Sequence, residues 1–365
     1  MRVPMADLAL QHKSLEPGLS DAVATLVDQS RFIGGPPVVE FEQAFAEWGR
    51  ATSCVACANG TDAIAIALHG LGIGPGDEVI TSAHSWISSA EAASQVGADV
   101  RFVDVDEYFH LDVQQVEAAI GPRTAGVVGV HLFGQPFDGP ALRDLAQRKG
   151  LALVEDSAQA HGATLNGEPV GSFGQAATFS FFPGKNLGAW GDAGAILTQD
   201  TDLAATMARY ARHGGLSKHE HLFPGINSRL DSIQAAVLLQ KLPHVAAWNA
   251  RRVEIAEQYL TQLKGVQDLV LPAVRPGAQH VWHIFAVRTS RRDELAKHLS
   301  RHSIDTGIHY PQALPDTPAY KDDAGTHEFP RARENAGTML SLPLYPELSQ
   351  AQRDHVVEQV LAFFK

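Results

Sequence analysis

Four short runs of apolar, β-prone residues set the strongest limit on what this chain can become: Glu78-Val79-Ile80, Val100-Arg101-Phe102-Val103, Gly126-Val127-Val128-Gly129-Val130 and Leu151-Ala152-Leu153-Val154. Each is too short for a helix and too continuous to alternate between a wet and a dry face. Between the last two lies Ala141–Lys149, with Leu142, Leu145 and Ala146 at helical spacing and Gly150 as its stop. Such strand–helix–strand alternation predicts an α/β fold whose central sheet is mostly parallel and covered by helices on both faces.

From about residue 229 the pattern changes. A helical stretch runs from Arg229 towards Leu263, with Pro243 as a kink or break. Then come a strand over Val281–Val287, a helix around Arg292–His302 and a short strand near Asp305–His309. A last amphipathic helix from about Gln350 carries Val356, Val357, Val360, Leu361 and Phe364. The Pro-, Asp- and Gly-rich stretch Leu314–Pro330 reads as a surface loop. At 365 residues the chain is too long for one small core, so the expected organisation is a large domain over residues 1–240 and a smaller C-terminal α+β domain over 241–365.

Charge narrows the partners. Lys and Arg total 29 against 41 acidic residues, a net charge of −12, and such a surface repels nucleic-acid backbones and anionic membranes. The first residues lack an apolar leader and no run reaches 18 apolar residues, so the expected location is cytoplasmic. Cys54 and Cys57 are the only cysteines. Their C-x-x-C spacing falls in a strand-like segment instead of opening a helix, so they read as inert core thiols, too few for an iron–sulfur cluster. No H-E-x-x-H or clustered ligand spacing is present, and no metal site is expected.

Ligands of open α/β sheets sit at the carboxyl ends of strands, and unusual polar residues fall there. Asn59-Gly60-Thr61-Asp62 follows the Cys57 strand and opens the apolar helix Ala63–Leu68. Free N–H groups at that terminus suit a phosphate, and Thr61 adds a hydroxyl; Thr61 or Asp62 as a plain helix cap is the alternative. After the Leu151–Val154 strand come Glu155 and Asp156. A carboxylate there needs a partner, either a cationic ring nitrogen or the N–H groups of the next helix. In Phe179-Ser180-Phe181-Phe182-Pro183-Gly184-Lys185-Asn186, one lysine sits among apolar residues and glycine. It is either an imine-forming amine with depressed pKa or a lysine snorkelling to the surface.

Taken together, Trp86, Asp156-x-x-Gln159, Ser180 to Asn186, Gly191-Asp192-x-Gly194 and Asn227-x-Arg229-x-Asp231 to Ala236 resemble, in order and spacing, the DegT/DnrJ/EryC1/StrS family of sugar aminotransferases. The resemblance covers nearly the whole chain, from Phe32 to Pro346. It implies the fold type I architecture of the aspartate aminotransferase superfamily and pyridoxal 5'-phosphate as cofactor, held on Lys185 as a Schiff base. It further implies that Asp156 contacts the pyridine nitrogen, Gln159 lies near the phenolic oxygen and Trp86 stacks on the ring. Gly60, Thr61 and Ser180 correspond to the phosphate cradle. Asn227 corresponds to a residue reaching the phosphate from a neighbouring subunit, which implies a homodimer with shared active sites. Arg229, His309 and Tyr310 are the candidate substrate contacts; for Arg229 a helix-starting surface role is the alternative. Where the family is expected to read Phe-Pro-x-Ala-Glu, this chain has Phe329-Pro330-Arg331-Ala332-Arg333, with Glu334 adjacent.

The activity so implied is ping-pong transfer of the amino group of glutamate to a keto-sugar nucleotide. Asn227 to Asp231 looks most like members that aminate C3 of a dTDP-3-keto-6-deoxyhexose. Amination at C4, of an inosose or of a UDP-sugar uronate stays open. Dehydratase relatives lack the lysine or carry extra cysteines, which separates them from this chain. A non-enzymatic regulator is the remaining class, and the acidic charge with no basic stretch argues against DNA binding.

Overall fold

The structure, a computed structural model, describes residues 1–321 and 328–365. Its centre is a seven-stranded sheet built from β1 (Ser53–Cys57), β2 (Glu78–Ser82), β3 (Asp99–Val103), β4 (Thr124–Val130), β5 (Ala152–Asp156), β6 (Ala176–Ser180) and β7 (Gly194–Thr198). Their spatial order is β1-β7-β6-β5-β4-β2-β3. From β6 to β3 every pairing is parallel, whereas β7 runs antiparallel to both neighbours. The mostly parallel α/β expectation therefore holds, and all four apolar runs are strands. Because β7 alone is reversed, its beginning lies at the same sheet edge as the ends of the other six.

Both faces are covered. The helix α1 (Gly60–Gly70) is apolar all round, and Ala63 to Leu68 are buried against β2, β4 and β5 side chains such as Val79, Val128 and Val154. On the opposite face Phe41, Phe45, Phe179 and Phe181 pack edge to face and stacked. Helix α2 (Gly139–Lys149) closes with Gly150 in the left-handed region, the stop its sequence predicts. Cys54 and Cys57 are free thiols in β1, and burial raises the pKa of both, as suits inert core residues.

Helix α3 (Ser232–Lys241) and helix α4 (Val245–Gln262) flank a single turn, Leu242–His244, that contains Pro243. The helix starts three residues later than the sequence pattern suggests, because Asp231 at its cap is extended. Beyond it, β8 (Phe285–Arg288) pairs antiparallel with β9 (Met339–Leu342). Helices α5 (Arg292–Arg301), α6 (Pro330–Thr338) and α7 (Gln350–Phe364) complete this region. Its core joins Tyr259, Phe285, Leu295 and Val356, and Val3 from the chain start is buried there beside Ile304.

Two strand expectations are corrected. Of the Val281–Val287 run only Phe285–Val287 is strand, which continues to Arg288. Trp282 takes a positive φ of 49° and its N–H donates to His280 Nδ1, while Val281 N–H donates to Gly134 O, so the segment turns before it can pair. Asp305–His309 is no strand either; Gly307 makes one isolated bridge to Ser341 and Asp305 N donates to Val3 O, without a continuous ladder. Of the loop expected over Leu314–Pro330, Leu314–Asp316 is one helical turn, and residues 322–327 lie outside the described residues.

Candidate active site

A cavity of about 590 Å³ opens at the strand-end edge of the large sheet. Its walls are the first turn of α1, residues 85–88 after β2, the ends of β4 and β5, and the segment after β6 that carries Lys185. Tyr310 closes it from the C-terminal region.

One end of the cavity is made to receive an anion. Gly60 and Thr61 open α1, and N–H groups of a first turn have no intrahelical acceptor. The cap is Asn59, whose Oδ1 accepts from Asp62 N at 2.8 Å; neither Thr61 nor Asp62 plays that part, which corrects the alternative drawn from sequence. The Thr61 hydroxyl instead lies 2.7 Å from Ser88 Oγ at the cavity wall. Ser180 Oγ accepts from Phe182 N at 3.3 Å, leaving the Ser180 hydroxyl hydrogen free to donate. Gly60 is required by this closeness, since a Cβ there would stand 2.6 Å from Ser180 Cβ.

Asp156 and Lys185 line the same cavity, and the charge of each acts on the other's pKa. Glu155 and Asp156 are neighbours with different fates. Glu155 is fully buried and saturated: Phe173 N and Gly174 N donate to Oε1 at 2.7 and 2.8 Å, while Gly171 N (2.8 Å) and His131 Nε2 (2.9 Å) reach Oε2. His131 Nδ1 accepts from Phe137 N, so this imidazole is hydrogen-bonded at both nitrogens. Asp156 has one donor, Ala158 N at 3.1 Å, is only 7% exposed and lines the cavity. Burial raises its pKa, with Ala158 N–H and the Lys185 charge acting the other way. Lys185 is partly exposed to the cavity, and the surrounding walls desolvate its amine, lowering its pKa to about 8 against the pull of Asp156. A buried carboxylate short of donors and a desolvated amine facing one space are complementary to a ligand with a cationic nitrogen and an electrophilic carbon.

Gln159 is oriented by its neighbours. Its Oε1 accepts from Phe133 N at 2.7 Å and its Nε2 donates to Tyr310 Oη at 3.0 Å, leaving one amide hydrogen for a ligand. Trp86 stands 57% exposed at the wall, its ring 5.5 Å from that of Tyr310. His309 sits behind Tyr310, its Nδ1 2.8 Å from Ser341 Oγ, and does not line the cavity.

The structure thus brings Lys185, Asp156, Gly60, Thr61, Trp86, Gln159, Ser180 and Tyr310 to one cavity. Asn227 and Arg229 are exposed and lie outside it. Sequence reasoning gave no role to Ser85, which is 1% exposed, lines the wall and has no partner for its Oγ among the described residues. Its place beside Trp86 was the only available signal. Arg333, in the position expected to be acidic, makes a two-pronged pair with Asp316, and Glu334 pairs with Arg288; neither reaches the cavity.

These residues fit pyridoxal phosphate: free donors at the α1 end, a shelf at Trp86, a lone carboxylate at Asp156 and a desolvated amine at Lys185. Residues 15–361 match the model of the DegT/DnrJ/EryC1/StrS aminotransferase family. The dTDP-3-amino-3,4,6-trideoxy-alpha-D-glucose transaminase of Streptomyces venezuelae is 44% identical over 98% of this chain and 95% of its own length. The crystal structure of S. venezuelae DesV in complex with a ketimine intermediate superposes with a TM-score of 0.97 at 44% identity, covering 100% of this chain and 99% of that one. NtdA from Bacillus subtilis with bound cofactor PMP gives a TM-score of 0.90 at 29% identity over 96% of this chain and 82% of its own.

Proposed function

Because this chain belongs to the DegT/DnrJ/EryC1/StrS aminotransferase family, we propose that it moves the amino group of glutamate to C3 of a dTDP-linked 3-keto-6-deoxyhexose. The chain is a pyridoxal phosphate-dependent sugar aminotransferase, with the α/β fold of that family's solved members. The observation carrying the proposal is the desolvated Lys185 amine, which shares with Asp156 a cavity of about 590 Å³ open to a bulky substrate. The 44% identity to a transaminase named for a 3-amino dTDP sugar favours C3 and dTDP.

When bound, pyridoxal phosphate supplies an electron-poor ring that takes up the electron pair left on a substrate carbon after deprotonation. Lys185 would hold the cofactor through its amine and, when free, would move a proton at the substrate carbon, a role for which an amine with pKa lowered to about 8 is suited. Asp156 keeps a cationic nitrogen protonated, and the first turn of α1 with Ser180 fixes the phosphate. Gln159 would offer its remaining amide hydrogen to the phenolic oxygen. Tyr310 lines the cavity from the C-terminal region, with His309 behind it. A lysine in the cavity also speaks against a dehydratase.

The product decides the substrate. Glutamate and a set of keto-sugar nucleotides, analysed by mass spectrometry and NMR, are expected to give a 3-amino dTDP-6-deoxyhexose as the fastest product. Faster formation of a 4-amino sugar, an aminated inosose or a UDP-linked amino uronate would replace this reading with that one. Failure of glutamate to bleach the holoenzyme's visible absorption would favour a regulator.

The proposed active unit is a cytoplasmic homodimer, with the large domain ending near residue 240. Asn227 and Arg229 are exposed, and Phe32 and Ile33, themselves exposed, are tied to the same segment by the Ile33–Asp231 bridge and Ser232 N to Phe32 O. Exposed Leu216 and Leu222 lie in the adjacent loop. A second copy covering this region carries Asn227 and Arg229 into its neighbour's cavity. Mixing Lys185→Ala with Asn227→Ala subunits is therefore expected to restore about a quarter of wild-type activity on random pairing, each variant alone being impaired. No recovery in verified mixed dimers contradicts sharing.

A further inference from the structure

The residue after the reactive lysine is held more firmly than the lysine itself. Asn186 is 2% exposed, and its Nδ2 donates to Asn249 Oδ1 at 2.9 Å and to Val281 O at 3.0 Å. Asn249 in turn donates through its own Nδ2 to His161 O at 2.7 Å. Both Nδ2 hydrogens of Asn186 are thus committed, which fixes which end of the amide is oxygen. Its Oδ1 lies 3.1 Å from His283 Nδ1. An amide oxygen only accepts, so His283 must carry a hydrogen on Nδ1, and in the neutral ring Nε2 is then a bare acceptor.

Two parts of the chain meet at this amide, helix α4 through Asn249 and the segment before β8 through Val281 and His283, and Asn249 ties them on to the segment after β5 at His161 O. Burial holds the pKa of His283 well below its ordinary value, and the Lys185 charge acts in the same direction, placing the imidazole within electrostatic reach of the amine. The described groups facing it are Lys185, Arg252, His309 and His161. Two residues further on, Gly188 O accepts from Lys241 Nζ at 2.8 Å, so the chain just after the lysine is tied twice.

We propose that His283 is a positioning residue for Lys185: its Nδ1–H holds Asn186 Oδ1, and this clamp sets where the neighbouring amine stands in the cavity. The inference rests on Lys185 being the lysine that captures the cofactor. Donation from Nδ1 is the essential feature. An asparagine in place of His283 puts an amide N–H near the position of Nδ1, whereas a glutamine puts it near Nε2, out of line with Asn186.

The test uses the full-length holoenzyme with His283→Asn, His283→Gln and His283→Leu. The Gln and Leu variants are expected to lose kcat by about tenfold or more in both half-reactions, with KM values for glutamate and the keto-sugar nucleotide little changed. The pH midpoint of the cofactor's visible absorption is expected to move in the same two variants. His283→Asn is expected to keep kcat within about threefold of wild type and to leave the midpoint in place. An Asn variant as impaired as the Gln variant, or a folded Gln variant with wild-type kcat and midpoint, overturns the proposal. If the His283→Leu variant fails to fold, the Asn–Gln comparison still decides. Peptide mapping of the borohydride-reduced holoenzyme reports separately on whether Lys185 is the cofactor lysine.

Discussion

Lys185→Ala is expected to stop multiple turnover, lowering kcat by about 10⁴-fold or more, because one amine both captures the cofactor and moves the proton. The fold should survive. Lys185 is partly exposed to the cavity and makes no side-chain hydrogen bond to the described residues, so its removal opens no core void. Pyridoxamine phosphate should still bind, since the N–H groups of α1 and the Ser180 hydroxyl do not depend on the amine. Wild-type apoenzyme carries a second signature of the same group. Desolvation lowers the Lys185 pKa to about 8, so the neutral, nucleophilic amine becomes the major form above that pH. The rate of pyridoxal phosphate capture should therefore rise with pH and level off above about pH 8. An ordinary exposed lysine would still be gaining at about pH 10. Stopped-flow absorbance of apoenzyme mixed with cofactor checks this, and a rate still climbing at pH 10 removes the desolvated amine from the account.

Asp156→Asn should cost about a hundredfold or more in kcat while retaining shape and much of the cofactor affinity. The side chains are nearly isosteric, and Asn keeps the oxygen that accepts from Ala158 N. What is lost is the negative charge that keeps a ring nitrogen protonated. The effect on the apoenzyme separates this electronic role from a structural one. Burial raises the folded-state pKa of Asp156, so the ionised form costs folding stability above the ordinary carboxylate range. At neutral pH the neutral amide removes that cost, and the melting temperature of apo Asp156→Asn should equal or exceed that of wild type. Calorimetry alongside single-turnover rates makes the comparison. Near-wild-type rates would remove the electronic role, and a large drop in melting temperature would recast Asp156 as structural.

The parts of the fold that sequence disclosed are those where a buried environment imposes a period. Val79-Ile80, Val127-Val128 and Leu153-Val154 lie inside a parallel sheet, and a strand buried on both faces leaves a continuous apolar run. The parts that resisted are settled by single distant contacts. Val281 to Ile284 carry strand-forming residues, yet Gly134 O takes the Val281 N–H and Trp282 turns to positive φ. The reversed direction of β7 leaves no mark in Gly194–Thr198, because pairing direction comes from the neighbouring strands. At the site, Lys185, Asp156 and the α1 terminus stood out as a cation, an anion and a glycine following apolar strands, but each kept a plain structural alternative until the family resemblance gave it a role. The difference between Glu155 and Asp156 was not legible, since it depends on four donors supplied by residues 131 and 171–174. Asn186 stood in a motif, but the clamp around it draws on residues 63 to 97 positions away.

Borohydride reduction of holoenzyme, followed by proteolysis and mass spectrometry, examines the central amine directly. A single pyridoxyl adduct on the peptide containing Lys185, absent when pyridoxal phosphate is omitted, is the expected result. Cofactor-saturated protein that yields no adduct at Lys185, or yields it on another lysine, contradicts the assignment of the site.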